Sequence, residues 1–277
     1  MGCCSHGGYE RIFGASTAKR DLRRYRRRGL ARDARAAVDF LRRVGVKDAA
    51  VLEAGGGVGA VQVELLDAGA AHTVNVELSR EYEESARDLL REHGLEDRVE
   101  RRFGDFTALD TGDADAVVMC RVVCCYPDYE RLVGTAADRA RRALVFTHPP
   151  DGRLSDAVVF VGNLLLRLAR QEFRMYAHPV PAMREVAEAH GLRHVGTVRR
   201  PIWSVECFER FPADNTGNGR PVSERERTTH HPEPEPDPEE RAEEATEESR
   251  RERGDMPIEE QEGLGAGRED DEKPRPF

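Results

Sequence analysis

Three carboxylates, each placed at or near the end of an apolar run, define the chemistry open to this chain: Glu53, Glu77 and Asp105. Glu53 comes just before Gly55, Gly56, Gly57 and Gly59. A backbone without Cβ atoms can turn sharply there and let a ligand come close. The span 51–77 reads as strand, glycine turn, helix, strand. The helix carries Val58, Val61, Leu65 and Leu66 on a buried side, and its leading amides are free to meet a polar group. Gly69 ends it. A second apolar run, 70–76, leads into Glu77, an acid placed to accept hydrogen bonds from a ribose at a strand tip. The unit therefore implies a nucleotide-type cofactor.

Two cofactors fit the glycines. Gly55, Gly57 and Ala60 satisfy the G-x-G-x-x-G/A form of dinucleotide enzymes, which set a pyrophosphate on the helix N-terminus. S-adenosylmethionine (SAM) has no phosphate, and a carboxylate such as Glu53 can attract its positive end. The spacing E-x-G-G-G-x-G over 53–59 resembles the first motif of the class I SAM-dependent methyltransferases. Gly104-Asp105-Phe106 after a third apolar strand, 99–103, and DADAVVMCR over 113–121 extend the resemblance in family order. It implies that Glu53, Gly55, Gly57, Gly59, Glu77, Leu78, Asp105, Phe106 and Arg121 hold SAM. Asp105 would meet the adenine amino group and Phe106 would lie against the ring. The implied fold is α/β and Rossmann-like: a mostly parallel seven-stranded sheet with a C-terminal antiparallel strand pair and helices on both faces. An NAD(P)-dependent oxidoreductase is the competing reading.

The elements that must position these groups follow in order. Residues 16–43 read as one or two helices, broken at Gly29, with Lys19, Arg20, Arg23, Arg24, Arg26, Arg27 and Arg28 outward and Leu22 and Tyr25 as the docking side. The family places such helices over the cleft, so 1–45 is expected to be an N-terminal cover that includes Tyr9, Arg11, Ile12 and Phe13. Its arginines would meet an acidic substrate or the SAM carboxylate. Ser79 reads as an N-cap for a helix over 82–93 that Gly94 stops. Strands are expected at 115–120 and 143–147, with a helix over 126–140 between them entered through Pro127. The apolar stretch 154–168, within an insertion of about 151–171, is interrupted by Asp156, Asn163 and Arg167 and is too short to span a membrane. A helix over 181–189 and strands at 192–199 and 202–208 close a SAM-binding domain of 46–211.

Methyl transfer is an in-line displacement, so holding donor and acceptor in contact is the main task. A base helps when the acceptor is a hydroxyl or an activated carbon. His148, Tyr126 and Arg121 stand at expected strand ends, and an imidazole is the usual acid/base group near neutral pH. They are the catalytic candidates, with Tyr176 and His178 behind them. Cys124-Cys125-Tyr126-Pro127 departs from the Asn-Pro-Pro-Tyr sequence of amino-directed DNA and protein-glutamine methyltransferases, and it lacks the Pro-Cys nucleophile of cytosine-modifying ones. The remaining resemblance is to small-molecule O-, C- or N-methyltransferases of the magnesium-protoporphyrin and ubiquinone/menaquinone group. The chain also resembles, over about 3–211, bacterial methyltransferase-domain proteins with the same Cys pair, R-R-Y-R-R-R-G-L stretch and V-V-C-C-Y-P-D loop. A non-catalytic SAM-binding regulator or thiol/metal sensor is the alternative of another class, and a nucleic-acid methyltransferase is a third.

The chain has 277 residues and is 39% apolar, enough for one good core. Its mean hydropathy of −0.65 points to a polar appendage. From residue 212 on there are 21 acids against 10 bases, so the formal charge of −9 divides into a tail of −11 and a body of +2. Such a tail is expected to be disordered. Six cysteines without a visible secretory leader point to a reduced, cytoplasmic protein. The expected partner is a small-molecule substrate, with no nucleic acid, no transmembrane segment and no metal. The apolar face of 154–168 is open to substrate, to a homodimer or to a membrane surface.

Overall fold

The computed structural model describes residues 6–200 and 202–211. The expected acidic tail, Cys3 and Cys4 lie outside these residues. Strands β1 (Ala50–Ala54), β2 (His72–Glu77), β3 (Val99–Phe103), β4 (Ala114–Met119), β5 (Ala140–His148), β6 (Arg193–Val198) and β7 (Ser204–Glu209) form one sheet in the order β3-β2-β1-β4-β5-β7-β6. The β3-β2-β1-β4-β5 neighbours pair parallel, whereas β7 runs antiparallel between β5 and β6. This is the expected seven-stranded arrangement, and the reversed strand sits inside the sheet edge.

The strands read as near-continuous apolar runs because both faces are covered, and alternate residues serve different cores. Val118, Val145, Val205 and Cys207 face one cluster, packed under α3 (Arg32–Val44), α4 (Ala60–Asp67) and α5 (Glu83–His93). Val117, Met119, Leu144, Phe146 and Phe208 face the other, under α6 (Tyr129–Arg139) and α8 (Val180–Ala189).

The N-terminal segment divides in two. Helix α3 was expected in the cover, but it buries Ala36, Ala37, Val38, Phe40 and Leu41 in the first core. Helices α1 (His6–Ile12) and α2 (Ala15–Arg28) bring Tyr9, Asp21, Arg24 and Tyr25 to the cavity at the glycine turn, where the start of α3 adds Ala34. They are tied down by a Tyr9–Phe13–Phe173 aromatic cluster, by Arg26–Glu92 and Lys19–Glu84 ion pairs, and by the Tyr82 hydroxyl donating to Asp21 at 3.0 Å.

Local details differ in instructive ways. The Ser79 hydroxyl donates to the Phe13 carbonyl at 2.7 Å instead of capping a helix, because α1 ends above it. Helix α6 starts after Asp128, which accepts from the Arg131 amide at 3.0 Å, so the carboxylate and not Pro127 sets its first turn. Residues 172–176 form no strand. Helix α7 (Arg153–Leu168) is the apolar insertion, pinned to the following segment by Asn163, which bonds both the amide and the carbonyl of Met175 at 2.8 Å. Among the described residues, no helix is long and apolar enough to cross a membrane.

Candidate functional site

The turn from β1 into α4 forms the floor of the site. Gly55 and Gly57 adopt φ of +67° and +53°, the left-handed region that favours glycine. A Cβ on Gly55 would lie 2.6 Å from the Val122 side chain, and one on Gly56 would overlap Asn75 and Glu53. The turn is a cradle that side chains would fill. Gly56 belongs to it as much as Gly55 and Gly57, whereas Gly59 turns the chain into α4 and does not line the cavity.

Glu53 ends up 1% exposed beneath this turn. Burial pushes its carboxyl up to about 8, although Arg101 and the Asn75 amide pull the other way, and Glu77 adds to the rise. The Asn75 amide reaches Glu53 at a long 3.5 Å, and its buried Oδ1 has no partner. Burial thus favours the neutral form of this carboxyl. Glu77 is held by backbone: Oε1 accepts from the Leu78 and Ser79 amides at 2.8 and 3.0 Å, and Oε2 from Gly57 at 2.9 Å. Leu78 contributes that amide from outside the cavity wall.

Arg121 follows β4 with φ +62°, an uncommon position for a side-chain-bearing residue. Its amide donates to Thr147 Oγ1 at 2.7 Å, and its guanidinium makes a bidentate pair with the buried Asp33 of α3 at 2.8 and 2.7 Å. Glu53, Gly55, Gly57, Glu77 and Arg121 thus share one cavity of about 260 Å³, roofed by Tyr9, Phe13, Arg24 and Tyr25. Burial, reinforced by Glu64, pushes the Tyr25 phenol up to about 12. Tyr82 is also raised, first by burial and then by Asp21.

The other expected residues lie elsewhere. Asp105 Oδ1 accepts from the Thr107 amide at 2.9 Å and from its hydroxyl at 3.0 Å, and the Tyr126 hydroxyl reaches Oδ1 and Oδ2 at 3.2 and 3.1 Å. Phe106 is buried in the second core, with the Arg139 guanidinium 4.7 Å from its ring centre. Neither lines the cavity. The Tyr126 phenol is pushed up to about 12, chiefly by burial, with Asp105 adding to the rise against a contrary bond from Thr107.

His148 points away from the glycine turn, into a second cavity of about 300 Å³ shared with Cys124, Tyr176 and His178. Its Nδ1 faces the Pro149 carbonyl at 2.6 Å and its Nε2 faces Glu206 at 3.1 Å. Both ring nitrogens meet acceptors, which leaves no nitrogen lone pair free for a substrate proton. Glu206 also accepts from Arg184 at 2.8 and 2.9 Å. Burial alone would raise this acid, but His148 and Arg184 outweigh it and hold it at about 2. His178 is lowered, chiefly by burial, and donates to the Tyr126 carbonyl at 2.8 Å. Among the described residues, no group of three or more His, Cys, Asp or Glu is arranged to hold a metal.

Asp33, Asn75, Arg101 and Tyr82 support the site without having been singled out by sequence. They belong to no motif, and only the fold brings them there.

Residues 51–144 match the family model described as a methyltransferase domain. No curated protein matches the chain. Among solved structures, the magnesium protoporphyrin IX methyltransferase of Synechocystis PCC 6803 with bound S-adenosylhomocysteine superposes with a TM-score of 0.54 at 19% identity, covering 74% of this chain and 94% of that one. An O-methyltransferase family protein of Burkholderia thailandensis gives 0.53 at 20% identity, over 66% of this chain and 57% of that one. At these identities the likeness is one of fold.

Proposed function

We propose that this chain, a class I SAM-dependent methyltransferase, transfers the methyl group of SAM to a small-molecule acceptor at the cavity between the glycine turn and the α1–α2 cover. The observation that carries this reading is the convergence of Glu53, the Gly55–Gly57 cradle and Glu77 on one roofed cavity. When bound, SAM supplies a methyl on a positive sulfur, which a nucleophile displaces in line. The two similar structures named above, a magnesium protoporphyrin IX methyltransferase and an O-methyltransferase family protein, support a small molecule as acceptor.

The residues divide the work. The Glu53 carboxylate holds the positive end of the donor and gives up its proton to do so. Glu77 keeps its backbone bonds and uses the remaining lone pairs of Oε2 for a ribose hydroxyl. Asp105 takes the adenine amino group once the Tyr126 hydroxyl turns aside, which makes Tyr126 a positioning residue. Arg121, locked to Asp33, fixes the rim. His148 shapes the second cavity through Glu206.

Among the described residues lining the donor cavity there is no histidine or lysine, and the phenols of Tyr25 and Tyr82 are shifted away from neutrality. An acceptor that arrives already nucleophilic, such as a carboxylate, thiolate or acidic phenol, suits such a site. The thiols of Cys120, Cys124 and Cys207, which form no disulfide, suit a reducing, cytoplasmic setting.

The test is a thermal shift with SAM, NAD and NADP, followed by incubation of a metabolite extract with methyl-labelled SAM. SAM alone should raise the melting temperature and a labelled small molecule should appear. Stabilisation by NAD or NADP and not by SAM would reverse the assignment.

A further inference from the structure

The function described so far does not use the strongest charge feature of the molecule. Helix α2 carries Arg20, Arg23, Arg24, Arg27 and Arg28 on one face, and these five side chains alone line a groove of about 350 Å³. The pairs 20/24, 23/27 and 24/28 are four residues apart and 20/23 and 24/27 three apart, so like charges stand side by side along the helix. The acids around them are already engaged: Asp21 of α2 receives the Tyr82 hydroxyl and lies 3.7 Å from Arg20, and on α5 Glu84 pairs with Lys19 and Glu92 with Arg26. Arg23, Arg24, Arg27 and Arg28 have no acidic partner among the described residues. Repulsion of this kind within one groove is relieved by an anion that several guanidinium forks share.

Arg24 belongs to two places. It lines the arginine groove and also the donor cavity, beside Tyr9, Phe13 and Tyr25. The two spaces therefore meet at one side chain, with an aromatic wall on the donor side and a cationic one beyond it. Resting on the methyltransferase reading above, we infer that the α2 groove is the acceptor's anion subsite and that the acceptor is a small molecule carrying a phosphate or carboxylate cluster. Its reacting end lies in the aromatic part of the cavity and its oxyanions among Arg20, Arg23, Arg27 and Arg28. The same positive field favours the ionised form of the reacting end, which fits a cavity without an imidazole.

Inorganic pyrophosphate is the probe, titrated calorimetrically into the full chain. The variant is Arg23→Gln/Arg27→Gln/Arg28→Gln, all exposed positions outside the donor cavity. Pyrophosphate should bind the wild type and bind the variant ~tenfold or more weakly, with the Lys triple at the same positions falling between them, because it keeps the charges and loses the forks. SAM affinity should be the same in all three. Labelled products from the metabolite extract should be anionic, with KM for the acceptor raised by the Gln triple and KM for SAM unmoved. Equal pyrophosphate binding by wild type and Gln triple, or neutral labelled products, would overturn the inference. So would duplex or single-stranded RNA binding that is tighter and more steeply salt-dependent than pyrophosphate binding. Failure of SAM to bind any of these proteins would remove the methyltransferase reading instead, and the pyrophosphate titration would still decide the groove.

Discussion

Replacing Glu53 by Gln tests the most unusual group in the site. The native carboxyl, buried under the glycine turn, titrates at about 8 against an ordinary 4.5. Its value in the folded state is the higher one, so the stability it contributes is fully present below pH 4.5 and is lost as pH rises through 8. Each pH step inside that window costs about 1.4 kcal/mol, so moving from pH 5.5 to 8 should cost the wild type ~3 kcal/mol that Glu53→Gln does not lose. Gln mimics the protonated acid in shape, so the two proteins should be nearly equal in stability below pH 4.5 and differ by ~1.4 kcal/mol at pH 5.5. Urea unfolding followed by circular dichroism at both pH values, without cofactor, measures the gap. SAM should reverse the advantage: it binds the ionised form, so wild-type affinity should climb with pH and level off above 8. The Gln variant should show a flat profile and weaker binding by ~10- to 100-fold, the loss of one charge-assisted bond. A stability gap that is the same at pH 5.5 and 8 would refute the claim that Glu53 is held protonated by burial.

Four other substitutions have outcomes that binding, kinetic and unfolding measurements can check. Asp105→Ala should weaken SAM binding by ~tenfold or more, through loss of a hydrogen bond to a charged group. Tyr126→Phe should leave kcat close to wild type and shift only KM for SAM; a collapse of kcat would make Tyr126 catalytic. Asp33→Ala should cost ~3 kcal/mol in unfolding and weaken SAM binding, because Arg121 loses its bidentate partner beside the cavity; unchanged affinity would separate the rim from the cofactor. Glu206, depressed from 4.5 to about 2, contributes stability that is present above pH 4.5 and lost as pH falls through 2. Glu206→Gln should accordingly be less stable by ~3 kcal/mol at pH 6, with the gap narrowing at pH 3.5.

What the amino-acid order determines by itself here is local. Apolar runs become the central strands β1, β4 and β5, and Gly45 and Gly94 stop α3 and α5 with left-handed φ of +97° and +65°. Glu53 and Glu77 reach the cavity because a residue near the end of a parallel strand has little choice of place. The glycine turn is legible for the same reason, since its conformation is a property of a few adjacent residues.

Which side chains meet across the chain is decided by the tertiary structure alone. Arg121 finds Asp33 from 88 positions away, and His148 finds Glu206 from 58 away because β7 inserts antiparallel against β5. Those pairings turn two catalytic candidates into an anchored rim and a fully bonded histidine. Asp105 is met by Tyr126 in the same way, and α3 leaves the cover for the core because its apolar stripe faces the sheet. No short stretch of sequence encodes such meetings. They depend on how helices and loops converge once the strands have ordered: burial raises the Glu53 carboxyl, whereas His148 and Arg184 pull Glu206 down against the same effect.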